Sequence, residues 1–322
     1  MECLVKYYIS KLGSIPSFLE PYLEIDSLKR LKEVGYFCGM DYASKSVYNF
    51  REYITRYDHS LSVALLTYRL THDKKATIAA LYHDISTPCF SHVIDYMNKD
   101  YENQESTEEY TDKILRNDKK LNILLNKDGI NIDEIIDFKR YSIVDNNRPK
   151  LCADRLDGII LTGIGWTKDI NKEDIDNIIN SLEIYNDEDG KQEIGFNNEI
   201  VANRVYEISD NINKYCHSNE DNYMMELLAK ITKLAIGRKY IQYDSLFILN
   251  EKQLFEILRY SNDADIIKLL SVFKNIKLDD IPVMNIESLK NRDINPLVSG
   301  CRLKNNINNI DINLRIKMGK TL

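Results

Sequence analysis

Long apolar runs are missing from this 322-residue chain. No stretch approaches the ~20 apolar residues that span a bilayer, and the N-terminus has no signal-like apolar core. A cytoplasmic location without membrane association is therefore the expectation. Paired cysteines are missing too. Cys3, Cys38, Cys89, Cys152, Cys216 and Cys301 include no Cys-x-x-Cys spacing, which argues for scattered reduced thiols rather than a disulfide framework or a zinc ribbon. Positive charge is not in excess. The formal net charge is −7, which disfavours nucleic-acid binding along a basic face. It does not disfavour a small anionic substrate, because a metal and a few local arginines can dominate one pocket. Neither an internal repeat nor a low-complexity linker is visible. What remains, 43% apolar and 29% charged residues, is the composition of an ordinary globular protein long enough to bury a substantial core.

Helical periodicity dominates. Residues 58–71 put His59, Val63, Leu66 and Leu70 on one face. Residues 75–83 are nearly all apolar, as in a central buried helix. A break follows at Ser86-Thr87-Pro88, with Pro88 expected in the first turn of a new short helix. Further helices are expected at about 104–116, 132–138, 147–164, 171–180, 198–216, 220–237, 251–260 and 263–272. Asp187-Glu-Asp-Gly190 reads as a hairpin turn between short strands at 182–185 and 193–196. The expected architecture is mainly α, with a helical domain over 1–180 and a smaller α+β extension over 181–322. The extension ends in a tail carrying Lys290, Arg292, Arg302, Lys304, Arg315, Lys317 and Lys320 against Asp293 and Asp311.

Histidine is scarce: His59, His72, His83, His92 and His217 are the five. His72 and His217 lie in polar turns and read as surface residues. His59 and His83 sit on apolar helices, where a lone histidine is more often a hydrogen-bonded core residue than a ligand. His83 is followed directly by Asp84. Adjacent helical residues point about 100° apart, so both reach one ion only if the helix ends there, as Ser86-Thr87-Pro88 permits. Asp154, among Leu151, Cys152, Ala153 and Leu156, reads as buried, and a buried carboxylate must be paired or coordinate a metal. Two imidazoles and two carboxylates form a mixed N/O donor set suited to Mn, Fe, Zn or Mg.

The order His59, His83-Asp84, Asp154 resembles the HD-domain superfamily of metal-dependent phosphohydrolases. Within it, Arg56-Tyr-Asp-His59-Ser-Leu-Ser-Val is similar to the Arg-Phe-Glu-His-Ser-x-Gly-Val of the deoxynucleoside-triphosphate triphosphohydrolase branch, which includes the sterile-alpha-motif/HD proteins. Cys89-Phe-Ser-His92 resembles that branch's Pro-Phe-Ser-His. Arg30-Leu-Lys-Glu33-Val-Gly35 and Arg292-Asp-Ile-Asn-Pro296-Leu-Val resemble two further segments, so the likeness spans roughly residues 25–300. It implies an HD helical bundle and a divalent metal held by His59, His83, Asp84 and Asp154. Two of the branch's histidines are replaced by Thr87 and Gln104. Gly158 and Thr162 stand where it carries an aromatic residue and an acid that meet the sugar, and Glu33 replaces a glutamine. Efficient hydrolysis of deoxynucleoside triphosphates is accordingly not expected.

The expected function is metal-assisted hydrolysis of a phosphorylated small molecule, a nucleotide or a relative. Asp84, Glu105 and His92 are the catalytic candidates, with Glu108 a further proton acceptor. Arg56, Arg155, Thr87 and Gln104 are the substrate-binding candidates. His92 has a structural reading as well, as a hydrogen-bonder in the Phe-Ser-His turn. A binding or regulatory protein with weakened turnover is the rival reading. Nucleic-acid binding through the basic tail is a third, resting on one charge run. Homo-oligomerisation is expected from the resemblance.

Overall fold

The computed structural model describes residues 3–102, 104, 106–284 and 289–304. Arg315, Lys317, Lys320 and Asp311 of the tail lie outside the described residues. The described chain is mainly α. The N-terminal part runs α1 (Leu4–Leu12), α2 (Glu20–Leu23), α3 (Asp26–Arg30), α4 (Arg56–Thr71), α5 (Lys74–Tyr82) and α6 (Val93–Asn98). It continues through α7 (Thr111–Asn117), α8 (Lys119–Lys127), α9 (Asp133–Ile136), α10 (Ala153–Gly165) and α11 (Lys172–Ser181). After β1 (Leu182–Asn186) and β2 (Gln192–Phe196) come α12 (Glu199–Cys216), α13 (Asn219–Gly237), α14 (Glu251–Arg259) and α15 (Ala264–Asn275). The short strands β3 (Leu297–Val298) and β4 (Cys301–Arg302) close the described chain.

Helices α4 and α5 form the centre. Thr55 caps α4 by accepting from the Asp58 amide, while Asp58 accepts from the Thr55 amide, a reciprocal box that satisfies two donors of the first turn. Residues on every side of α4 are buried, including Ser60, Ser62 and Thr67. Ser62 returns its hydroxyl to the Asp58 carbonyl at 2.8 Å, so a polar side chain is tolerated inside. Helices α5 and α10 both pack against α4.

Two apolar cores result. The first gathers residues of α1, α4, α5 and α10–α12 and the C-terminal Ile294, Val298 and Leu303. The second gathers Met40, Tyr48 and residues of α6 and α13–α15. Both draw on residues from either side of position 180. Within the second core Gly39 has φ of 75°, and a Cβ there would meet Phe90 at 2.6 Å. Only glycine fits this left-handed turn. The hairpin expected at 187–190 is present. β1 and β2 pair antiparallel from Leu182↔Phe196 to Asn186↔Gln192. The C-terminal segment then adds β3 parallel to β2, through Gly195↔Leu297 and Phe196↔Val298.

Three expectations need correction. The helix expected from 147 begins at Ala153. Pro149 biases the residue before it away from helical backbone, and Arg155 bonds the Asn146 and Lys150 carbonyls, which holds 146–150 as a loop. The helix expected at 104–116 is in two pieces, a single turn at Ser106–Glu108 and α7. Pro88 does not open a helix, because Phe90 and Ser91 adopt left-handed φ of 65° and 45° and delay α6 to Val93.

One buried acid sits outside any ion pair. Glu251 at the start of α14 is fully buried, and among the described residues neither of its carboxyl oxygens has a hydrogen-bond partner. Burial, then Asp41, pushes its pKa up to about 8, with Arg56 opposing. Asp41 is itself pushed up to about 6 by burial. The folded chain therefore keeps a proton on Glu251 that the unfolded chain releases above its ordinary value. Stability from this group is present below that value and is lost as pH rises toward 8. Glu251→Gln should accordingly raise the melting temperature more at pH 8 than at pH 5, with the stability difference growing by roughly 3 kcal/mol across that interval. Melts of both proteins at the two pH values check this, and an equal gain at both would refute it.

Candidate metal centre

His59 lies one turn into α4, His83 caps the C-terminal end of α5, Asp84 follows in the turn, and Asp154 sits in the first turn of α10. Three helix ends thus converge. The His59 Nε2 lies 3.0 Å from Asp154 Oδ1 and 3.7 Å from Asp84 Oδ2. The His83 Nε2 lies 3.4 Å from Asp154 Oδ1 and 3.9 Å from Asp84 Oδ1. His59, His83 and Asp154 present ligand atoms mutually within 4.8 Å. Asp84 borders both imidazoles.

Each imidazole is aimed by what holds its other nitrogen. Asp157, fully buried on α10, accepts from His59 Nδ1 at 2.7 Å, and its other oxygen accepts from Tyr8 Oη at 2.7 Å. The Ala80 carbonyl accepts from His83 Nδ1 at 2.7 Å. These bonds fix the tautomers, so both Nε2 atoms face the acids as acceptors for a cation. Among the described residues the buried His83 Nε2 has no hydrogen-bond partner, a polar atom left over inside a histidine–carboxylate cluster. The donor set and this orphaned nitrogen fit a divalent cation.

The electrostatics agree. Burial alone would lower His59, yet Asp154 and Asp157 raise it to about 10. His83 is raised likewise against burial, by Asp84 and Asp154. Burial would raise the two acids, but His83, Arg56 and His59 hold Asp84 down to about 2, and the imidazoles hold Asp154 well below the usual carboxylate range. The cluster is built for positive charge at its centre. Asp154 departs from its sequence reading: its side chain is 38% exposed. The exposure is toward a cavity of about 790 Å³ that also reaches His59, His83 and Asp84.

The other candidates divide. Arg56 lines the cavity; its Nη1 donates to Asp84 Oδ2 at 2.9 Å and its Nε to Ser91 Oγ at 3.2 Å, and it lies over the Tyr36 ring. It does not pair with Asp58, which serves the α4 cap. Arg155 lines the cavity too, but its fork is engaged by Asn146 and the Lys150 carbonyl. Gln104 lines the cavity and accepts from Arg292 at 3.1 Å. Thr87 is buried away from the cavity wall, its hydroxyl without a partner. Glu105 lies outside the described residues. Glu108 reaches the cavity while paired with Lys139 at 2.8 Å. Glu33 is exposed, bonded to Asn250 and off the cavity. His92 lines the cavity, with its Nδ1 held by the buried Asp95 at 2.9 Å; burial lowers its pKa.

Sequence reasoning missed Asp157, Asp95, Tyr36 and Arg148. Asp157 and Asp95 each follow a singled-out residue by three positions, the spacing that puts side chains on one helix face, and that was the available signal. Tyr36 packs on the His59 ring at a centroid distance of 5.2 Å. A Cβ on Gly158 would lie 3.1 Å from its hydroxyl, so Tyr36 occupies the space beside that glycine. No local pattern announced it.

Residues 56–160 match the HD domain family. Over 291 residues it is 28% identical to an uncharacterized protein, YdhJ, of Bacillus subtilis, covering 88% of this chain and 85% of that one. Over 132 residues it is 29% identical to the metal-dependent phosphohydrolase cns2 of Cordyceps militaris, covering 41% of this chain and 37% of that one.

Removing a carboxylate that orients a ligating histidine typically weakens metal binding about 10–100-fold. Asp157→Asn should show a loss of about that size in chelator competition while the fold persists. His83→Ala should abolish any metal-dependent rise in melting temperature, since an ion that binds only the folded state stabilises it by mass action. Unchanged metal-induced stabilisation in His83→Ala would remove His83 from the ligand set.

Proposed function

We propose that this protein is a metal-dependent phosphohydrolase acting on a nucleotide or a related phosphorylated small molecule. The observation that carries the reading is the His59–His83–Asp84–Asp154 cluster, with its unpartnered His83 nitrogen, opening onto a cavity large enough for a nucleotide. The HD domain and the likeness to cns2 support it.

His59, His83, Asp84 and Asp154 would hold the ion. A bound divalent cation supplies Lewis acidity toward a phosphoryl oxygen and lowers the pKa of water. Arg56 serves two ends. Its Nη1 positions Asp84, and its Nη2, which makes no hydrogen bond among the described residues, donates to substrate phosphate. Arg155 holds the loop before α10 and adds positive charge to the wall. His92 is the proton acceptor: Asp95 accepts a hydrogen bond from its Nδ1–H and leaves the Nε2 lone pair available, and its lowered pKa keeps it neutral near pH 7. Gln104 acts by positioning Arg292.

The changes at Thr87, Gln104, Gly158 and Thr162 argue against a deoxynucleoside triphosphate as the preferred substrate. Neither Thr87 nor Gln104 shuttles a proton near neutral pH.

Phosphate release with Mn, Mg, Fe or Zn, over nucleoside mono-, di- and triphosphates and sugar phosphates, tests the reading. At least one monophosphate should be hydrolysed at an ordinary enzymatic rate, about 1 per second or faster. Tripolyphosphate release from the four deoxynucleoside triphosphates should stay below that rate. Arg56→Ala should raise KM and also weaken metal binding through Asp84, whereas His92→Ala should cut kcat by about 10²–10⁴ with the metal retained. Metal binding without hydrolysis of any of these compounds would favour the rival, a regulatory nucleotide-binding protein.

A further inference from the structure

We propose that Arg148 and Arg292 form a second anion subsite in the cavity, so that the substrate carries a further anionic group beyond the phosphate at the histidine–aspartate cluster. The inference rests on the phosphohydrolase reading for the first phosphate and adds a requirement that reading does not contain.

Both guanidinium groups line the same cavity as the cluster, and both are half-buried. Neither has a carboxylate partner among the described residues. Arg148 donates to the Asp293 carbonyl at 3.4 Å, and Arg292 to the Gln104 amide oxygen at 3.1 Å. Other withdrawn arginines differ. Arg56 meets Asp84, Arg155 meets Asp145, and Arg302 meets Glu188 and Glu193. Arg30 also lacks a carboxylate, but its fork is spent on the carbonyls of Ile85, Thr87 and Leu249, away from the cavity. Arg148 and Arg292 are thus shielded charges whose forks face a cavity, and a charge withdrawn from water needs a counter-charge.

The cations also crowd one another. Burial, then Arg155 and Arg292, push Arg148 down to about 10. Lys290, on the same wall, is lowered by burial and by Arg292 and Arg148. Asp154 acts on Arg148, and Asp221 acts on Arg292, yet neither acid forms an ion pair with its arginine. Arg148 thus feels the charge of Asp154 in the cluster, Arg292 feels that of Asp221, and all four line one cavity.

The wall is built rather than incidental. The Asn295 amide donates to the Pro149 carbonyl at 2.8 Å, tying the segment that carries Arg292 to the loop that carries Arg148. Buried Glu193 on β2 receives both the Arg302 fork, at 2.6 and 2.8 Å, and the Leu151 amide at 2.9 Å. One acid thus anchors the C-terminal segment to the start of α10, where Asp154 sits. The two arginines are held at a set position relative to the ligand cluster. A guanidinium fork matches phosphate or carboxylate oxygens bidentately, and the arrangement fits either group.

The test compares pairs of compounds on the metal-loaded full-length protein. One pair is adenosine 5′-monophosphate and adenosine 3′,5′-bisphosphate; the other is glycerol 3-phosphate and 3-phosphoglycerate. Binding is read by calorimetry and by the fluorescence of Trp166, the single tryptophan, which lines the cavity. Phosphate release is measured separately. In at least one pair the doubly anionic member should bind about 10-fold or more tightly than its partner, the discrimination expected of one charge-assisted fork. The pair that shows the difference identifies a phosphate or a carboxylate as the second group. R148Q and R292Q should each lose most of that preference, and R148K and R292K, which keep the charge and guard against misfolding, should retain part of it. Equal affinity within both pairs, or a preference untouched in both glutamine variants, overturns the subsite. If the preference is present and depends on the arginines but no phosphate is released, the subsite stands and the hydrolase reading falls. Phosphate release without any preference gives the reverse.

Discussion

The hydrogen bond between His59 Nδ1 and the buried carboxylate of Asp157 is the contact on which the site depends. It turns the His59 Nε2 toward Asp154 and couples three helices, because Asp157 lies on α10, His59 on α4, and Tyr8 of α1 takes the other carboxylate oxygen. Asp157 has no access to water. Losing one partner would leave a buried charge short of a donor, a penalty typically of about 3–5 kcal/mol when a buried ionic pair is broken. The same bond orients the His59 Nε2 and joins α4 to α10, which carries Asp154.

Around that bond the cavity is electrically divided. Its lining includes Asp84 and Asp154 about two imidazoles, and also Arg148, Arg155 and Arg292. A chain with a net charge of −7 therefore presents a locally cationic surface next to a cation-seeking cluster. Such a field favours an anion that bridges the two. Net charge bears on solubility and long-range association, while the pocket obeys its own neighbours.

Several side chains around the cluster hold the cavity wall together. Ser86 ties the turn after Asp84 to the Thr107 carbonyl and to Thr111. Gln104, itself at a left-handed φ of 57°, bonds Arg292. Tyr36 fills the space beside Gly158 and packs on His59. His92, which lines the same cavity, is held by its hydrogen bond to Asp95.

Helical class and the β1–β2 hairpin were legible in the chain, because each is written in local spacing, and the candidate donors His59, His83 and Asp154, which lie together, were legible in motif order. Apolar periodicity marks a helix, Asp-Gly marks a turn, and an acid after a histidine at a helix end marks two ligands that can face one point. Helix starts were less legible at Pro149 and Pro88, where loop hydrogen bonds and left-handed residues compete with periodicity. Asp157 and Asp95 carried a faint signal, three residues beyond a marked neighbour, which only burial against a histidine turns into a role. The exposure of Asp154, the engagement of Arg56 with Asp84, and the meeting of Arg148 with Arg292 had no signal. These pairings join residues far apart in the chain, and their partners are chosen by how α4, α5, α10 and the C-terminal segment pack. Sequence by itself determined which residue types stand ready at helix ends. Tertiary structure alone decided which charges meet a partner and which are left facing the cavity, because pairing between distant side chains depends on three-dimensional distance and shielding from water, and neither is encoded in local spacing.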